Sequence, residues 1–314
     1  MTQQSAQRIA YHNGRYVPER EVLVPFRDRS FLFGDGCFDV TRTFNGRPFK
    51  VKEHIDRFHR SLSYLRIDIG MGREELTDIT LQVLERNRHL LGEGDDYWLG
   101  QRVSRGMRAV GDEGWEQAGP TVIVDCQPLP FKARAHYYRD GIPVIVPSVR
   151  RTPPSSLSPR TKTHNYLNMI MANLEVESRD PSAWALLLDE NGNLCEGMGS
   201  NVFVVRDGRL LTPHQRYVLA GVSRQTVIEL AAGLGIPVEE RDIDLYDAYT
   251  ADECFLTSTS LCLCPVSSIN GAPIGGGVIP GPITKRLLDA YSALVDCDIL
   301  GQYLRHLNQE RRRP

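Results

Sequence analysis

Lysine is scarce in this sequence. Of its 37 basic residues only five are lysines, Lys50, Lys52, Lys132, Lys162 and Lys285, and the other 32 are arginines. Any chemistry that needs a lysine amine therefore has few places to occur. Also missing is an apolar run near the roughly 18 residues that a membrane span requires. The opening "MTQQSAQRIA" holds no apolar leader core, so a cytoplasmic protein is expected. Charge of one sign is not in excess. A net charge of -2 gives neither the basic field of a nucleic-acid binder nor an acidic tail. The seven cysteines (Cys37, Cys126, Cys195, Cys254, Cys262, Cys264 and Cys297) are odd in number and scattered, which argues against a disulfide framework and for a reducing compartment. On a strand, Cys262 and Cys264 would share one face and form half a metal site, but no C-x-x-C or H-x-x-x-H accompanies them, and no metal is expected. Internal repeats and low-complexity tracts are absent, and the closing "QERRRP" reads as a frayed, solvated end.

What is present reads as two α+β domains, because 314 residues exceed the size at which single cores stop growing. From "IAYHNGRYV" through "CFDVTRTFNGRPFKV", short alternating segments broken by Asn-Gly predict antiparallel hairpins. Ile55, Phe58, Leu62 and Leu65 recur at helical spacing across residues 52–66, a second helix is expected near 74–90, and "DYWLGQRVSR" and "PTVIVDC" read as strands. This is a small N-terminal domain over 1–129. "QPLPFKARAHYY" carries two prolines and suggests a linker at 130–138. Beyond it, 139–314 forms a larger domain: "IPVIVPSV", "AWALLLD", "NVFVVRDGRLLTP" and "ECFLTSTS" predict a mixed, buried sheet, with helices near 163–178, 222–234 and 282–295 around it.

Several residues in this frame are suited to chemistry. Lys162, in "SPRTKTHNYLNM", stands between a Pro-rich loop and an apolar helix, where burial would make it a nucleophilic amine; otherwise it is a surface lysine. Glu196, in the Gly-rich "LCEGMGSNVFVV", could keep a buried ring nitrogen protonated, or lie in a solvated turn. In "LAGVSRQ", Val222 and Ser223 follow a glycine at a helix start, where exposed amides suit an anion, although a plain N-cap fits equally. Ser258, Thr259 and Ser260 cluster at a strand end. Arg57, off the apolar stripe of its helix, offers a phosphate fork. "GGGVIPG" lacks the strand-to-helix context of a dinucleotide site. Together these elements describe an aldehyde, a protonatable ring nitrogen and a phosphate, the three handles of pyridoxal phosphate.

At this point the chain resembles the class IV, or fold type IV, pyridoxal-phosphate enzymes, from about residue 9 to 295. The resemblance rests on the order "FGDGCFDVTR", "EHIDRFHRSL", "KTHNYL", "CEGMGSNVFVV", "LAGVSRQ" and "TSTSLCLCPV". It implies a small α/β N-terminal domain and a larger C-terminal domain with a mixed β-sheet or barrel and surrounding helices. The cofactor would lie between the domains, in a site completed at a homodimer interface. It also implies that Lys162 is the Schiff-base lysine, with Tyr166 near the cofactor's phenolic oxygen and Glu196 on the ring nitrogen. Leu219 would lie on a ring face, and Arg57, Val222, Ser223, Ser258 and Thr259 would hold the phosphate.

The implied reaction moves an amino group between an amino acid, or an amine, and an α-keto acid. Tyr166 favours a branched-chain-type or (R)-amine-type site. Ser258-Thr259, in place of Gly-Thr, resembles the D-amino-acid enzymes, and "FGDGCF" resembles aminodeoxychorismate lyase. Asp39 and Val40 depart from the Phe-Glu-Gly-x-Arg pattern of branched-chain enzymes. Phe38, Arg42 and Arg105 are the candidate substrate residues, the arginines as carboxylate forks or else structural ion pairs. The expected order is a branched-chain-like transaminase, then a D-amino-acid or (R)-amine transaminase, then the lyase. A cofactor-free binding protein on the same scaffold is the reading from outside catalysis.

Overall fold

The computed structural model describes residues 7–107 and 119–307. The closing "QERRRP" and the first six residues lie outside them. The described chain divides into two compact units. One holds the residues through Leu129 together with Thr161–Asn165, and the other holds Pro130–Arg160 and everything from Tyr166 onward.

The first unit is built on β1 (Ile9–His12), β2 (Arg15–Pro18), β3 (Gly36–Phe44), β4 (Arg47–Pro48), β5 (Tyr97–Ser104) and β6 (Thr121–Pro128), with α1 (Arg29–Phe33), α2 (Val51–Leu65) and α3 (Arg73–Asn87). Its sheet is antiparallel throughout, in the order β2-β1-β6-β5-β3-β4. The Asn-Gly pairs close the β1–β2 and β3–β4 hairpins with positive φ at both positions, 44° and 88° at Asn13-Gly14 and 51° and 73° at Asn45-Gly46. Two consecutive left-handed residues match the twist of paired strands, which is why Asn-Gly serves here. The apolar stripe of α2 (Ile55, Phe58, Leu62) and that of α3 (Leu76, Ile79, Val83, Leu84) pack on Leu99, Val103, Val122 and Val124 of the sheet. Buried Asn87 ties α3 to β1: its Oδ1 accepts from Ile9 N, and its Nδ2 donates to Ile9 O and Val83 O, each at 2.7 Å.

In the second unit α4 (Phe131–Asp140), β7 (Ile142–Ile145), α5 (Leu167–Glu177), β8 (Trp184–Leu188), β9 (Leu194–Gly197), β10 (Ser200–Arg206), β11 (Arg209–Thr212) and α6 (Val222–Gly233) come first. Then follow β12 (Val238–Glu240), α7 (Leu245–Tyr249), β13 (Glu253–Ser258), β14 (Cys262–Ile269), β15 (Ala272–Pro273), α8 (Pro282–Val295) and α9 (Ile299–Leu304). Strands β10, β13, β14, β7, β8 and β9 pair in that order, and β9 pairs again with β10, so six strands close on themselves and leave no open edge. The β14–β7 and β7–β8 pairs are parallel. Val202, Phe203, Val204 and Val205 are all buried, so β10 is covered on both faces, as its unbroken apolar run requires.

Two expectations change. The stretch read as a linker at 130–138 is largely helix α4. Its prolines stand before the first turn, where missing amide hydrogens cost no helical bond, and the next eight residues contain neither Pro nor Gly. The helix expected from residue 163 begins at Leu167, because residues 162–164 use their backbone groups on a strand of the first unit. Replacing Asn87 with Ala should lower thermal stability by about 2 kcal/mol, since it strands the half-buried Ile9 backbone groups and leaves a gap where buried Asn87 packs; an unchanged melting temperature would remove that role.

Candidate active site

Lys162 takes its place from backbone pairing. Phe38 N donates to Lys162 O and His164 N donates to Gly36 O, each at 2.9 Å, which sets Cys37 opposite Thr163 as an antiparallel bridge on β3. Gly36 permits this close approach. A Cβ there would run into Val103 O and come within 2.7 Å of His164 Nδ1. Lys162 N also donates to Ser61 Oγ of α2 at 3.3 Å. The result puts the amine, Lys162 Nζ, 4.5 Å from the centroid of the Phe38 ring. His164 stacks on the same ring at 5.8 Å and pairs through Nδ1 with Ser30 Oγ at 2.6 Å.

Below this, between β3 and α2, lies a buried charge cluster. Asp39 accepts from Arg57 Nε at 2.8 Å and Arg57 Nη2 at 2.7 Å, and lies 2.7 Å from His54 Nδ1. Burial by itself would raise Asp39's pKa, but Arg57 and His54 outweigh it and hold the carboxyl well below the usual carboxylate range. Burial lowers His54, with Arg57 and Lys162 acting in the same direction against Asp39. His54 and Arg57 are one helical turn apart, so "EHIDRF" delivers both to one carboxylate.

The two arginines considered for a substrate carboxylate are committed elsewhere. Buried Arg42 donates through Nε to Thr43 O at 3.0 Å, has Nη2 3.7 Å from Asp96 and lies over the Phe44 ring. Arg105 meets Asp35 through Nε at 2.8 Å and Nη2 at 3.1 Å, and donates to Arg66 O and Leu65 O. Both are ion pairs that hold the unit together, the alternative role that the sequence had left open for them.

On the second unit, Glu196 of β9 is buried. Its Oε1 accepts from Arg151 Nε and its Oε2 from Leu219 N, both at 2.9 Å. Asn201 Nδ2 donates to Leu219 O at 3.0 Å, so neighbouring strands clamp the Leu219 peptide from both sides. Val222 and Ser223 open α6 behind Gly221, which supplies no side-chain cap. Ser258 Oγ accepts from Leu261 N at 3.0 Å and lies 3.3 Å from Ser260 Oγ. Arg134 donates to Ser260 Oγ, Tyr303 to Ser260 O and Tyr138 to Leu261 O, which anchors the turn that carries Thr259. The buried hydroxyls of Ser200 and Thr257 make no hydrogen bond among the described residues. Tyr166 stands at the N-cap of α5. Asp39, His54, Ser61, Arg151 and Asn201 were not foreseen; only the helical spacing of His54 and Arg57 was available as a signal. No three His, Cys, Asp or Glu residues cluster as a metal site among the described residues.

Burial first, then Arg102, lowers His164 to about 4, with Asp28 opposing. The unfolded chain therefore binds a proton between pH 6.5 and about 4 that the folded chain refuses. This group's contribution is complete above about pH 6.5 and is lost as pH falls toward 4, by up to about 3 kcal/mol. His164→Gln should lose less stability than the wild type between pH 7 and 4.5 in denaturant titrations, and equal losses would count against the assignment.

Residues 36–269 match the family model described as amino-transferase class IV. The chain is 37% identical over 282 residues to a Methanocaldococcus jannaschii protein whose name, branched-chain-amino-acid aminotransferase, is provisional; the match covers 90% of this chain and 94% of that one. It is 30% identical over 279 residues to the D-alanine aminotransferase of Bacillus licheniformis, covering 88% and 94%. Among solved structures, the branched-chain amino acid aminotransferase of Escherichia coli aligns with a TM-score of 0.83 at 28% identity, over 92% of this chain and 95% of that one. The branched-chain aminotransferase of the thermophilic archaeon Thermoproteus uzoniensis, solved with norvaline, aligns with a TM-score of 0.81 at 28% identity, over 96% and 98%. The family match spans Lys162, Glu196, Ser223 and Thr259, and the chain belongs to the class IV aminotransferases.

Proposed function

We propose that the protein is a pyridoxal-phosphate-dependent transaminase of the branched-chain type, with an amino acid as donor and an α-keto acid as acceptor. The observation that carries this reading is Lys162, one of only five lysines, seated with its amine against the Phe38 ring inside the family's matched segment. The residues present suit the cofactor. A buried carboxylate with an acceptor site left on each oxygen fits a protonated ring nitrogen, and an uncapped helix start suits a phosphate, as do the buried hydroxyls of Ser200 and Thr257, which lack partners among the described residues.

In this proposal Lys162 anchors the cofactor, Glu196 meets the ring nitrogen, and Tyr166 and Leu219 lie beside the ring. Arg57, Val222, Ser223, Ser258 and Thr259 hold the phosphate, with Arg57 oriented by Asp39. When bound, pyridoxal phosphate supplies an aldehyde for the substrate's amine and an electron-withdrawing ring that spreads the charge left as the α-proton departs. Lys162 Nζ takes the proton from the α-carbon of the amino-acid donor and, in the second half-reaction, delivers one to the α-carbon derived from the keto-acid acceptor. Glu196 keeps the ring nitrogen protonated, and Arg151 and the Leu219 amide fix the angle of its carboxylate. Thr259 and Ser258 add donors from a turn that Arg134, Tyr138 and Tyr303 keep rigid.

A homodimer in the cytoplasm completes the reading. It is supported by the exposed Leu23, Phe26 and Phe31, each at least 70% accessible, and by seven buried cysteines that form no disulfide. A D-amino-acid transaminase is the second reading, favoured by Ser258-Thr259 and by the D-alanine relative. Mixing yellow holoenzyme with L-leucine, D-alanine and (R)-1-phenylethylamine separately, and following the loss of cofactor absorbance, tests both. L-leucine is expected to react fastest, preference for D-alanine would move the enzyme to the second reading, and a colourless protein would end both. Lys162→Ala should reduce turnover by about 10³-fold or more, and Glu196→Gln by about 10²-fold, in stopped-flow half-reactions. Near-wild-type rates would withdraw either role.

A further inference from the structure

Arg42 and Arg105 are paired inside the first unit, and a third arginine, Arg102 of β5, stands on the same unit with a different environment. Alternation along β5 turns Tyr97, Leu99 and Val103 into the core and puts Trp98, Gly100 and Arg102 on the other face. The β3–β5 register sets Arg102 directly opposite Phe38, the ring against which the Lys162 amine lies. The Arg102 guanidinium carbon is 5.8 Å from that ring's centroid and Lys162 Nζ is 4.5 Å from it. One aromatic ring thus carries the family's reactive amine and an arginine, close enough for a single small molecule to touch both.

Unlike its neighbours, the Arg102 guanidinium makes no hydrogen bond among the described residues. Its nearest carboxylate oxygen, Asp125 Oδ1, is 3.7 Å from Nε, beyond hydrogen-bond range. Asp125 is 8% exposed, and this Oδ1 has no hydrogen-bond partner either. The arrangement needs Gly100 between them, because a Cβ there would collide with Asp125 Oδ1 and come within 3.4 Å of Arg102 Nη2. Asp125 therefore attracts the guanidinium at its Nε edge without saturating it. The Arg102 side chain is 39% accessible, so its Nη pair can receive a planar anion. His164, held neutral beside it, adds no competing charge.

We propose that Arg102 binds a carboxylate of the amino-acid and keto-acid substrates, and so directs the enzyme to amino acids over simple amines. This rests on the transaminase reading above. The test uses holoenzyme of the wild type, Arg102→Gln and Arg102→Lys, each first checked for wild-type cofactor absorbance and melting temperature. The primary readout is calorimetric titration with 4-methylvalerate, a carboxylate without an amine. Arg102→Gln should weaken its binding about 10- to 100-fold, the worth of charge-assisted hydrogen bonds, and Arg102→Lys should recover part of that loss. The second readout is the kcat/KM ratio of leucine, and separately of glutamate, to (R)-1-phenylethylamine. A fall for both amino acids identifies the α-carboxylate as the bound group, and a fall for glutamate alone identifies the distal one; either supports Arg102. Unchanged carboxylate binding, or losses shared equally by the amine, would overturn it while leaving the transaminase reading intact. Wild-type protein that never turns yellow would overturn that reading and this proposal with it.

Discussion

The arrangement of the first unit around Lys162 depends on two backbone hydrogen bonds between Gly36–Phe38 and residues 162–164. They carry a segment distant in sequence onto the end of β3 and turn an otherwise ordinary lysine into an amine held over an aromatic ring. A hydrogen-bonded bridge fixes the direction of the backbone as well as its position, so the Lys162 side chain leaves the strand on the side of the Phe38 ring. Gly36 makes the approach possible, because no other residue leaves room for both Val103 O and the His164 ring.

Arginine abundance has a structural counterpart in buried ion pairs. Asp39 with Arg57, Asp96 with Arg42 and Glu196 with Arg151 are each removed from water to a large degree. Desolvation makes such pairs poor sources of net stability, yet breaking one leaves an uncompensated buried charge. Their contribution here is orientation. Between Arg57 and Asp39 the planar guanidinium fork fixes the angle of the carboxylate, which a flexible lysine would not do. Lysine scarcity thus fits a chain that uses cations mainly as braces. Arg102, bound weakly on one edge, differs from these braces in keeping donors available.

Much of the fold was legible because its signals are local. The two Asn-Gly turns, the stripe of α2 and the start of α6 after Gly221 each follow from a few adjacent residues. Local rules fail at residues 130–138, where prolines that suggest a linker precede a helix, and at residue 163, where long-range pairing delays a helix that local propensity would start. The site was legible in part. Lys162, Glu196 and Ser223 stand in distinctive segments, whereas Asp39, Arg151 and Asn201 meet Arg57, Glu196 and Leu219, which lie 18, 45 and 18 residues away along the chain.

The sequence by itself determined the family, through six short segments in a fixed order, and with it the candidate lysine, carboxylate and phosphate-binding hydroxyls. Tertiary structure alone decided which cations are committed. Arg42, Arg105 and Arg102 are equivalent in composition, but folding brings the Thr43 carbonyl within 3.0 Å of the first and Asp35 within 2.8 Å of the second, and leaves the nearest carboxylate oxygen 3.7 Å from the third. An arginine's availability depends on what stands within about 3 Å of its donors, and that distance is set by folding.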